Sequence, residues 1–111
     1  MNNSPVNMKL FHVSRLGNEP SIMAAGVSPA FALGKMRVCW YTDIGRLSWA
    51  ISHVSANSGL SVAELRVFTV WADRLVFKRT RFPGVFTCAT TLFAWASDPA
   101  IALLRPDDLD K

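Results

Sequence analysis

Cysteine is scarce in this 111-residue chain, with Cys39 and Cys88 the only two. Two thiols cannot make a disulfide framework, and no CxxC or Cys/His spacing suits zinc. Both lie in apolar, strand-like runs, so buried free thiols are expected. Charge is sparse as well, at 18% of residues. Glu64 is the only glutamate after Glu19, and Asp107, Asp108 and Asp110 crowd into the last five residues. The charge-free stretch Phe82 to Ser97 carries three threonines and falls short of the roughly 20 apolar residues a bilayer span needs, so no membrane partner is expected. No basic segment followed by a long apolar run opens the chain, so no secretory signal is visible and the cytoplasm is the expected location. GxGxxG, P-loop, GxSxG and HExxH patterns are missing. That argues against the familiar hydrolases and nucleotide kinases, and no metal is expected.

Apolar residues make up 50% of the chain and aromatics 11%. At this length about two thirds of the unfolded surface can be buried, which supports one folded domain and excludes a disordered chain. The net charge of +4 biases encounters toward polyanions. Lys78, Arg79 and Arg81 concentrate that charge, while Asp107, Asp108 and Asp110 offset it. Nucleotide or nucleic-acid contact is one reading of this pattern, and a solvated basic surface is the other.

Periodicity predicts an α+β domain with a small sheet, one main helix and one short helix. Lys9–Ser14 (KLFHVS) reads as a first strand carrying His12, and Gly17 and Asn18 break it. Pro20–Ala25 reads as a short helix with Gly26 just past its end. Val27–Lys35 reads as a loop and Met36–Thr42 as a second strand. Between Asp43 and Gly59 the pattern turns helical, with Leu47, Ala50, Ile51 and Val54 on a core-facing stripe. Arg46, Trp49, His53 and Asn57 form a second stripe beside it. Glu64–Ala72 is a strand without a clean polar face, which implies burial on both sides. Leu75–Arg79 is a short strand or extended arm, Val85–Thr91 another strand, and Ala100–Leu104 a weak last element. The expected division is an N-terminal arm over 1–8, a domain over 9–105 and an acidic tail over 106–111.

Several residues stand out as candidates for chemistry. Strand parity puts His12 and Ser14 on one face, where an imidazole and a hydroxyl can bond a ribose or phosphate. Arg15 follows directly. Trp40, Tyr41 and Thr42 end the second strand, where an aromatic ring can stack on a base or nicotinamide. The Arg46, Trp49 and His53 stripe either packs under a loop or lines a cleft. Glu64 and Asp73 are the interior carboxylates of the second half, each also readable as an ordinary surface residue.

The order of these residues resembles the ADP-ribosyltransferase-like superfamily, in particular its histidine–tyrosine–acid branch and the RNA 2′-phosphotransferases. The opening pattern L-Y-H-x-[ST]…I-L-x-x-G-L-x-P is matched by Leu10, Phe11, His12, Ser14, Ile22, Met23, Gly26, Val27 and Pro29. The resemblance covers residues 9 to 90 and implies a split sheet and NAD as cofactor. It implies that His12 contacts the NAD ribose and Tyr41 stacks on the nicotinamide. The family's acid at the start of a late strand has no counterpart in Pro83–Thr91 (PGVFTCATT), which contains no Glu, Gln or Asp. Either Glu64 or Asp73 supplies the acid, with Glu64 named as the third catalytic residue, or the domain binds a nucleotide without transfer. The expected cleft joins His12, Ser14, Arg15, Trp40, Tyr41, Thr42, Arg46, Trp49 and His53. The rival readings are a non-catalytic module that binds nucleic acid or protein, and a small phage- or plasmid-type inhibitor or accessory protein.

Overall fold

The structure, a computed structural model, describes residues 7–29 and 38–104. Its centre is β1 (Asn7–Arg15), which pairs antiparallel with β3 (Leu65–Asp73) along its whole length, from Asn7 opposite Asp73 to Arg15 opposite Leu65. On its other side β1 meets β2 (Cys39–Thr42) at a single register position, Phe11 opposite Thr42. β5 (Val85–Cys88) pairs with β2 along four positions, β4 (Lys78–Arg79) forms one edge, and β6 (Ala94–Pro99) pairs with β3 at the other. The order is β4-β5-β2-β1-β3-β6, all antiparallel. The sheet is therefore two half-sheets joined at the Phe11–Thr42 seam, and the domain is α+β.

Alternation along the strands divides the core by face. Leu10, Tyr41, Cys39, Phe68 and Val70 point to one side, where Ile22 of α1 (Glu19–Ala25), Val27 and Phe77 pack on them. Phe11, Leu65 and Val67 point to the other, against Leu47 and Ile51 of α2 (Leu47–Ser58) and Ala100 of α3 (Ala100–Leu103). Burying each of the Leu, Ile, Val and Phe side chains among these contributes about 1.5–3 kcal/mol. β3 is thus buried on both sides along Leu65 and Val67–Val70, as its lack of a polar face implies.

Local chemistry sets the helix ends. Pro20 sits in the first turn of α1, and the Gly26 amide closes the helix on the Ile22 carbonyl at 2.8 Å. Gly26 adopts φ +91°, and a Cβ there would lie 2.8 Å from the Leu92 carbonyl oxygen, so only glycine fits. Asp43 Oδ1 accepts the Arg46 amide at 3.0 Å across a 3-10 turn (Ile44–Arg46) that leads into α2. Leu47, Ala50 and Ile51 are buried, and Val54 packs against the same cluster. α2 ends at left-handed Gly59.

Some boundaries differ from the sequence expectations. Asn7 and Met8 belong to β1 rather than to an arm. Glu64 lies in a 3-10 turn (Val62–Glu64) before β3, and β5 stops at Cys88, where the chain turns to bridge Leu92 onto Val27. β6 has no counterpart among the predicted strands. The loop over residues 30–35, the first two residues of the predicted second strand, Arg105 and the acidic tail lie outside the described residues.

Candidate functional site

Beyond Phe11 and Thr42 the two half-sheets separate, and a side chain takes over their junction. His12 Nδ1 lies 2.9 Å from the Trp40 carbonyl oxygen. A carbonyl only accepts, so this contact places the hydrogen on Nδ1 and leaves Nε2 as an acceptor when the ring is neutral. Burial pulls the His12 pKa below 6.5, and the bond to Trp40 only partly opposes that shift. Tyr41 lies across the seam, its ring centroid 5.5 Å from that of His12 at a tilt of 50°. Phe77 meets the far side of Tyr41 edge-on at 5.5 Å, and Phe68 stands opposite His12 on β3. The Tyr41 hydroxyl is buried and has no hydrogen-bond partner among the described residues. Burial, with the neighbouring Cys39 and Cys88 thiols adding to it, pushes its pKa far above the ordinary phenol value.

One step along the strands on the same face, Ser14 stands opposite Arg66. Asn18 Nδ2 donates to Ser14 Oγ at 2.8 Å, and Arg15 Nε reaches Asn18 Oδ1 at 3.4 Å. Arg66 Nε lies 2.8 Å from Glu19 Oε2 and 2.9 Å from Ser97 Oγ, and its terminal nitrogen donates to the Ser97 carbonyl at 2.8 Å. Ser97 Oγ donates in turn to Glu19 Oε2. A half-buried polar group of Ser14, Asn18, Glu19, Arg66 and Ser97 thus borders the His12–Tyr41 pair. Glu19, Arg66 and Ser97 were not candidates from sequence. The available signal was an arginine inside the otherwise apolar run Leu65–Ala72.

His12 and Ser14 do share a face, and Tyr41 joins them. Six of the expected cleft residues do not, Arg15 among them, since it alternates with Ser14 and stands opposite the α2-facing Leu65. Trp40 alternates with Tyr41 and projects to the α2 side, half exposed. Arg46, Trp49 and His53 ride on α2, whose inner stripe packs against Phe11 and Val67, so the sheet separates them from His12. Trp49 and His53 stack on each other at 4.9 Å, and Asn57 Nδ2 donates to His53 Nε2 at 2.9 Å. Thr42 also turns to the α2 side, buried, its hydroxyl unpartnered among the described residues. A single sequence gives a helix two flanks but not the face of the sheet on which it lands.

Neither interior carboxylate reaches the pair. Glu64 Oε2 accepts the Ser61 amide at 2.8 Å and closes a capping box. Register places Glu64 past Arg15, roughly 13 Å along the strand from His12. Asp73 caps the Leu75 amide at 2.9 Å at the opposite end of β3, roughly 17 Å from the level of His12. Expected stacking by Tyr41 also needs correction, because its ring is 0% exposed and offers no open surface to a ligand. Among the described residues no cluster of His, Cys, Asp or Glu could hold a metal, and no helix is long and apolar enough to cross a membrane. Comparison with protein-family models, curated proteins and solved structures finds no match for the chain.

Proposed function

We propose that the face bearing His12 and Tyr41 binds NAD or a related ribose-containing nucleotide, as a degenerate ADP-ribosyltransferase-like domain. The observation that carries this reading is the meeting of two side chains 29 residues apart where the half-sheets diverge. His12 offers Nε2 to a ribose hydroxyl, while its other nitrogen is held by Trp40. Ser14 follows on the same face of β1 as a hydroxyl for the ribose, while Arg15 alternates to the α2 side and reaches this face only through Asn18. Tyr41 acts from behind, backing the imidazole rather than stacking on the ligand.

Turnover is expected to be weak. Glu19 is the carboxylate on this face, and it is engaged by Arg66 and Ser97. Losing one transition-state contact of the oxyanion-hole kind costs about 10²–10³ in rate. The free thiols Cys39 and Cys88 fit a reducing compartment such as the cytoplasm. Calorimetry with NAD, ADP-ribose and a 2′-phosphorylated RNA end, on wild type and His12→Ala, tests the reading. Heat with at least one nucleotide, lost in His12→Ala, is expected. No heat with any of them at millimolar concentration overturns it.

A further inference from the structure

All four tryptophans are exposed: Trp40 by 51%, Trp49 by 39%, Trp71 by 45% and Trp95 by 72%. Rings this large are ordinarily covered, so their common exposure needs an explanation. No indole ring of the four faces the His12 site, to which Trp40 contributes only its carbonyl, and alternation along β2 and β3 turns Trp40 and Trp71 to the α2 side of the sheet.

The ground around Trp40 is built by register. Thr87 of β5 stands opposite Trp40 on one side and opposite Lys78 on the other. Trp40, Thr87 and Lys78 therefore form one row across three strands on one face, with Lys78 about 10 Å from Trp40 at two strand spacings. The wall beside this row is the flank of α2. Arg46 Nε donates to the Pro83 carbonyl at 3.0 Å, which turns the Arg46, Trp49 and His53 stripe toward the β4–β5 hairpin. Trp49 and His53 stack on each other on this flank of the helix. Neither Lys78 nor Arg46 makes an ion pair among the described residues. The nearby carboxylate of Asp43 caps the Arg46 amide.

The same pairing of cation and indole recurs farther along this face. Lys9 Nζ lies 5.7 Å from the Trp71 ring centre, and Trp95 meets Trp71 edge-on at 6.5 Å. Aromatic rings set beside cations that have no ion-pair partner among the described residues suit a ligand that has both planar apolar groups and a repeating anion. Thr87 shares the strand row, and Asn57 bonds His53 on the helix flank, so polar groups accompany the rings. We infer that the α2 side of the sheet binds single-stranded nucleic acid, with bases stacking on Trp40 and the Trp49–His53 pair and phosphates meeting Lys78 and Arg46.

This surface lies on the opposite side of the sheet from His12, so it stands or falls apart from the nucleotide reading. The test is fluorescence anisotropy of a labelled mixed-sequence strand of about 12 nucleotides, as DNA and as RNA, with the full chain. Trp40→Ala and Trp49→Ala are each expected to weaken binding about fivefold or more, with Trp40→Phe keeping most of it. Lys78→Gln is expected to lower the salt slope by about 0.7. Thermal unfolding checks that each variant is folded, and the heat with NAD should be unchanged by Trp49→Ala. Absence of binding at tens of micromolar, or affinities unmoved in both tryptophan-to-alanine variants, overturns the inference. So does tighter binding to phosphatidylserine vesicles than to the oligonucleotide.

Discussion

Tyr41 and His12 carry opposite kinds of tension at the same seam. Tyr41 keeps a buried hydroxyl with no partner among the described residues, and leaving such a group unsatisfied costs about 1–3 kcal/mol. Tyr41→Phe should therefore stabilise the fold by about 1 kcal/mol, measured as a higher urea midpoint at unchanged m-value. A lower midpoint would mean that the hydroxyl has found a partner. For His12 the tension is protonation. The folded ring has its pKa below 6.5 and the unfolded ring does not, so between the two values the unfolded chain binds the extra proton. Stability is therefore complete above about 6.5, falls as pH drops below it, and levels off once the pH lies below the folded-state pKa. Urea titrations across this range should show that loss in wild type and a smaller one in His12→Gln. Cys39 completes the set: burial, with Cys88 opposite, pushes its thiol up to about 11. Neither thiol should react quickly with a disulfide reagent until the protein is unfolded.

At the level of elements, the junction of α2 with the β4–β5 hairpin is tightly specified. Gly84 adopts φ +77°, and a Cβ there would fall 2.8 Å from both Arg46 Cγ and the Asp43 carboxylate. Gly84→Ala should destabilise by more than the roughly 1 kcal/mol expected for Asp43→Ala, which removes only the cap. Thermal melts of the two variants decide the order. The same elements show how far the sequence could be read. β1, α1, α2, β3 and β5 were legible because glycines, caps and hydrophobic period agree there. β6 was not, because Ala94–Pro99 has one large apolar residue, Trp95, and that one faces solvent at the sheet edge. In the candidate site, parity correctly paired His12 with Ser14. The helix stripe was placed with them wrongly, since nothing local to Arg46–His53 says which side of the sheet α2 covers. Glu64 and Asp73 were misread because a capping carboxylate and a catalytic one look alike without their partners.

For the molecule as a whole, the seam predicts uneven cooperativity. β1, β3 and β6 are joined along most of their length, whereas the β2, β5 and β4 half is tied to β1 at one register position. Native-state hydrogen exchange should find the β2–β5–β4 amides opening at lower free energy than those of β1 and β3. Equal protection in both halves would show that side-chain packing through Tyr41, Phe77 and Phe68 welds them into one unit.

The strand at the seam is also the first among the described residues. Its partners on β3 come between 50 and 66 residues later. On a ribosome adding about 5–20 residues per second, the apolar segment Leu10–Val13 would wait roughly 3–12 s before its pairing strand is made, longer still before that strand clears the exit tunnel. Loop closure over such a distance must also precede the β1–β3 pairing. A nascent chain halted before Leu65 therefore has only β2, at one register position, to pair with β1, and an arrested fragment of that length is where chaperone capture and protease cleavage should be greatest.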